Sequence, residues 1–171
     1  MSNTNDILDQ NPESVPDRAK RTPIPLPGGT AAQIEEGKLY QIKVHYTENG
    51  KVFEGYLRPW GANAATMYWD CVTLDSAYGG YPIKFRPKST GRGSWYLECD
   101  DGYWLSLRNG WTYRSFEVNA IGWQILDGKI YNDFWGGPLC EDLKGPFPEG
   151  RFTGQDLPVI LHDCSFELVT S

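Results

Sequence analysis

The chain has 171 residues, 40% of them hydrophobic, with a formal net charge of -6, a composition that suits one packed domain and excludes a low-complexity or collagen-like chain. The acidic balance and the lack of a long Lys/Arg run oppose a phosphate backbone, so nucleic acid is excluded as an expected partner. No run approaches the roughly 20 apolar residues of a membrane-spanning segment, and the basic-then-apolar start of a secretory signal is missing; the expectation is a soluble protein, cytoplasmic or exported without a visible signal peptide.

The 24 aromatic residues all fall between Tyr40 and Phe166. The globular domain is therefore expected at 36–171, with residues 1–35 as a disordered, proline-containing N-terminal tail. Residues 22–30, TPIPLPGGT, place proline at alternate positions and favour an extended polyproline path. The segment reads as a tether, with a proline-recognition ligand as the sharper alternative.

From Lys38 onward no helical apolar periodicity survives without a Gly or Pro breaking it. Strands are predicted in chain order at 39–44, 53–57, 67–74, 83–85, 95–99, 103–107, 116–118, 123–126, 129–132, 158–161 and 166–169, separated by ENG, DDG, NG, DG and GG turns. The domain is all-β. Gly37-Lys38-Leu39-Tyr40, Gly93-Ser94-Trp95-Tyr96 and Gly128-Lys129-Ile130-Tyr131 share one form. The triplets Ile83-Lys84-Phe85, Trp123-Gln124-Ile125 and Phe166-Glu167-Leu168 close successive units. Three repeats of four strands around a pseudo-threefold axis are implied, with hairpins capping one end of a closed barrel.

Within the last unit, Trp123, then Asp127-Gly128-Lys129-Ile130, then Gly136-Gly137-Pro138-Leu139-Cys140-Glu141-Asp142, and later Val159-Ile160-Leu161 before Cys164 and Phe166, resembles one repeat of a ricin-type β-trefoil lectin. The Gln-x-Trp closure of that family is missing, and Leu139 precedes Cys140 where the family has Cys-Leu. The resemblance implies a β-trefoil fold and a glycan or glycoprotein as partner. It would make Glu141 or Asp142 the acceptor for sugar hydroxyls, Phe147 or Phe152 the aromatic platform, and His162 or Asp163 the second polar contact. It also implies a Cys140–Cys164 disulfide, against which two buried thiols remain the alternative.

The first and second repeats carry Leu57-Arg58-Pro59 and Leu105-Ser106-Leu107 at the acid step, so their sites look degenerate. Asp100-Asp101-Gly102 reads as a turn, and the tryptophans beside glycine turns, Trp104 among them, read as packing residues. If Tyr103, Leu105 and Leu107 face the core, alternation sends Trp104 to the other face, exposed or under a neighbouring loop.

Catalysis is not expected. His162 and Cys164 lie two apart on one strand without a third, orienting group, and adjacent acids do not face each other across a cleft. No cofactor and no metal ion is expected either, since no CxxC pair or metal-ligand spacing occurs. The expected function is a non-enzymatic carbohydrate-binding module with one site in the third repeat. The alternative is a protein-interaction module, a protease inhibitor or toxin subunit, presenting the loops 48–55 and 145–158.

Overall fold

A computed structural model describes residues 20–48, 50–59, 69–73, 82–108, 111–134, 139–142, 149–152, 161–162 and 164–170. Among them are thirteen strands, one 3-10 turn and no α-helix. The strands are β1 (Tyr40–Glu48), β2 (Lys51–Pro59), β3 (Trp69–Thr73), β4 (Phe85–Ser89), β5 (Trp95–Cys99), β6 (Trp104–Arg108), β7 (Trp111–Ser115), β8 (Trp123–Leu126), β9 (Lys129–Asn132), β10 (Leu139–Asp142), β11 (Glu149–Phe152), β12 (Leu161–His162) and β13 (Cys164–Thr170).

Together they form one open, branched antiparallel sheet. β1 pairs with β2, with β13 over seven register positions, and with β4 at Tyr40↔Phe85. β4 continues to β5, β5 meets β8 at Trp95↔Trp123, and β8 turns back into β9. The Phe166 N–H of β13 donates to the Gly128 carbonyl at the β8–β9 turn, at 2.7 Å. β2–β3, β6–β7 and β10–β11 form a second set of pairs. Within this set β11 touches β3 at Glu149↔Asp70 and β7 at Arg151↔Trp111.

Alternation explains the core. In β1, Tyr40, Ile42 and Val44 are buried while Gln41, Lys43 and His45 are half-buried, the period-2 pattern of a strand with one face inward. Phe85, Leu57, Leu105, Ile121 and Trp123 complete the same cluster. A cavity of about 20 Å³, lined mainly by apolar residues with Ile34 and Gln124 among them, remains in it.

β8 breaks the alternation, with all four residues buried. The segment before β1 pairs along its edge. There Ala31 bridges Leu126, and Ala32 N–H donates to Ile125 O at 2.9 Å. Ile24 N–H donates to Asp133 O at 2.8 Å, and the Arg21 guanidinium donates to Ala120 O. The part of the proposed tether from Lys20 to Glu35 thus runs as a strap over the β8–β9 hairpin; residues 1–19 lie outside the described residues.

The expected strand at 116–118 is a correction. Glu117–Asn119 form a 3-10 turn, in which Ala120 N–H returns to Glu117 O at 3.0 Å. The strand lies just before it, at β7, where the Arg114 side chain is buried and so hides the apolar alternation. Trp104 is buried, as are Leu105, Ser106 and Leu107. β6 is covered on both faces, and the tryptophan packs rather than facing solvent.

Candidate functional site

The expected site residues fall on the β11–β10–β12 ribbon. Glu141 and Asp142 end β10, Phe152 ends β11 and His162 ends β12. The register sets Glu141 opposite His162 on one side and Gly150 on the other, and Asp142 between Leu161 and Glu149. Phe152 pairs with Leu139, three positions from Asp142 along β10. The register therefore brings Glu141 and His162 together, while Asp142, the next residue of the strand, falls on the opposite face; Phe152 is at the far end of the ribbon, and Phe147 and Asp163 lie outside the described residues.

Two further acids pair with Asp142 across the sheet, and sequence reading did not reach them. Glu149 is opposite Asp142 and Asp70 is opposite Glu149, while Arg58 of β2 is opposite Asp70. Asp142, Glu149 and Asp70 thus hold one row of register positions across three strands, on the face opposite Glu141 and His162. Only the pairing of distant strands creates it.

Elsewhere the polar side chains are tightly tied. Asp133 is 2% exposed; its carboxylate accepts the Gly122 N–H at 2.9 Å and Arg92 at 2.7 Å. Burial disfavours the charge on Arg92, yet the hydrogen bonds and charges of Asp133 and Tyr96 outweigh it and raise its pKa. A Cβ on Gly122 would overlap Ser94 Oγ and the Asp133 carboxylate, so any side chain there would displace them. Cys99 is a buried free thiol, held well above its ordinary pKa by burial first and by Asp101 second.

A groove of about 440 Å³ separates the strap at Thr30–Gln33 from Phe166–Leu168 of β13, with Asp127 and Glu167 at its margins. Among the described residues no three His, Cys, Asp or Glu side chains converge as a metal-ion site. Among the same residues no helix is long and apolar enough to cross a membrane. Comparison of the chain with protein-family models, with curated proteins and with solved structures finds no match.

Proposed function

We propose that the chain is a non-enzymatic carbohydrate-binding module of β-trefoil architecture, similar to the ricin-type lectins, with its principal site on the β10–β12 ribbon. The architecture is supported by the order of pairing. β13 pairs with β1, β1 with β4, β4 with β5, β5 with β8 and β8 with β9, and the Phe166 to Gly128 hydrogen bond links β13 back to the β8–β9 turn, the circuit of neighbours that a six-stranded barrel requires. The three remaining hairpins meet through β11 with β3 and β7. The glycines opening the three repeats share one left-handed backbone state, with φ of 80° at Gly37, 84° at Gly93 and 77° at Gly128.

One observation carries the ligand class. Glu141 stands opposite His162 at paired positions of adjacent strands, a hydroxyl-accepting beside a hydroxyl-donating residue type, which offers the polar half of a sugar site. Glycan-array binding by the full chain is the expected result. Glu141→Gln should lower that affinity by about tenfold, the loss of one charge-assisted hydrogen bond, with an unchanged melting temperature. An array with no signal removes the reading.

A second reading, protein interaction, is favoured by the β1–β2 hairpin, whose strands have nine residues each and which holds Val52 66% exposed beside its turn. On this reading Val52 supplies the apolar contact from the loop 48–55. Loss of a captured partner on Val52→Ser, with sugar binding intact, would establish this reading.

A further inference from the structure

We propose that the second repeat holds a separate binding site for a sugar ring, built on Phe116, Tyr103 and Asp101. It shares the ligand class of the reading above but none of its residues. None of these three occupies the Leu105-Ser106-Leu107 step at which a third-repeat-like site would be sought, so the site is a different construction on the same scaffold.

The construction begins at the β5–β6 turn. Gly102, at φ 90°, lets the chain reverse, and Gly102 N–H closes on Cys99 O at 3.0 Å. The Asp101 carboxylate then accepts the Tyr103 N–H at 3.1 Å on Oδ1 and the Arg114 guanidinium on Oδ2. Arg114 is 3% exposed and its guanidinium carbon stands 5.7 Å from the Tyr103 ring centroid. Burying a guanidinium costs several kcal/mol before its partner repays it; here the partner is a turn carboxylate whose side chain is still 33% exposed. Each oxygen of that carboxylate keeps a second lone pair. A fixed, half-open acceptor results, with its orientation set before any ligand arrives.

Beside it lies an apolar platform. Phe116 leaves β7 in an extended conformation and is 58% exposed, with its ring centroid 6.2 Å from that of Tyr103. The C–H face of a sugar ring packs on such an aromatic surface while its hydroxyls bond to an acceptor at the edge. Protein docking is a poorer match in size. Phe116 and Val118 are the only large hydrophobics exposed here among the described residues, and polar Glu117 separates them. A stable protein interface takes roughly 800 Å² from each partner, whereas one aromatic face suits one ring.

The test is an NMR titration of the full chain with methyl galactoside, N-acetylgalactosamine, glucose, mannose and N-acetylglucosamine, following the Phe116 and Tyr103 ring resonances. At least one sugar should shift both rings. Phe116→Ala, at an exposed position, should leave the melting temperature unchanged and weaken this binding about tenfold or more. Phe116→Trp should restore it. Glu141→Gln should leave these ring shifts in place, which separates the two sites: either can fail while the other stands. Ring resonances silent to every sugar would overturn the proposal. So would shifts that survive Phe116→Ala, or self-association removed by Phe116→Ala without any sugar response.

Discussion

A residue with a side chain in the left-handed backbone region costs roughly 1–2 kcal/mol, and Asp127 adopts it at φ 51°, followed by Gly128 at 77°. Two successive positive angles form the mirror-image turn that suits the twist of paired strands. The cost at Asp127 is offset because its Oδ1 accepts the Thr30 N–H at 3.0 Å while its own N–H donates to Thr30 O at 3.0 Å. Asp127→Ala should therefore destabilise by about 1–2 kcal/mol, and Asp127→Asn by less, since asparagine tolerates the angle and keeps an acceptor. Urea midpoints of the two variants give the order; equal losses would refute the account.

Cys99 makes a second prediction at this scale. Its neutral thiol is favoured in the folded chain, because burial and nearby carboxylates raise its pKa above the ordinary 9.0. A raised acid contributes fully below the unfolded value and loses that contribution as pH rises from about 9 toward the folded pKa. Stability should fall over that alkaline window with a slope that Cys99→Ala reduces. In native protein, peptide mapping after alkylation at neutral pH should find Cys99 unmodified until urea is added.

At the scale of elements, legibility followed β-branched and aromatic content. Residues 95–99, 123–126 and 129–132 were read as strands from their β-branched and aromatic content, and they are β5, β8 and β9. β7 escaped because Arg114 occupies an inward position, and a buried cation looks like a loop residue when its partner is thirteen positions away. β10 and β11 escaped because Leu-Cys-Glu-Asp and Glu-Gly-Arg-Phe lack alternation. Their place is set by register with each other and with β3, β7 and β12, which no local pattern encodes. The same holds for the strap: proline and glycine made residues 22–30 look like a tether, while its attachment comes from β8, about a hundred residues later.

The strap supplies a test at its own scale. The Asp127 amide donates to Thr30 O, and the Ile24 and Ala32 amides donate to Asp133 O and Ile125 O. Thr30→Pro deletes the donor to the Asp127 carboxylate and should release the strap's middle. Hydrogen exchange at Ala32 and Asp127 should then accelerate together, by about tenfold or more for each 1.4 kcal/mol lost, while Val44 in the core keeps its protection. Acceleration confined to one amide would mean that the strap is not a single cooperative unit.

For the whole molecule, the issue is whether three repeats share one design. Gly37, Gly93 and Gly128 were linked in sequence by a short Gly-x-apolar-Tyr motif, and their φ values lie within 7° of one another, from 77° to 84°. They precede β1, β5 and β9; the closing triplets fall within β8 and β13 and, for Ile83-Lys84-Phe85, at the entry to β4, which begins at Phe85. Nothing lies within 4 Å of the Cβ that an alanine would add at Gly37 or Gly93, and at Gly128 the nearest atom, Ser165 Cβ, is at an ordinary 3.8 Å. Steric overlap is therefore removed as a variable, and backbone strain alone remains. If the repeats are equivalent, each Gly→Ala substitution should cost about 1–2 kcal/mol with little spread among the three. Distant sites add, so the triple variant should lose about the sum of the single losses in urea unfolding. One costly glycine beside two neutral ones would mean that the motif recurs in the letters of the chain but not in its energetics, and the proposed threefold architecture would lose its main support.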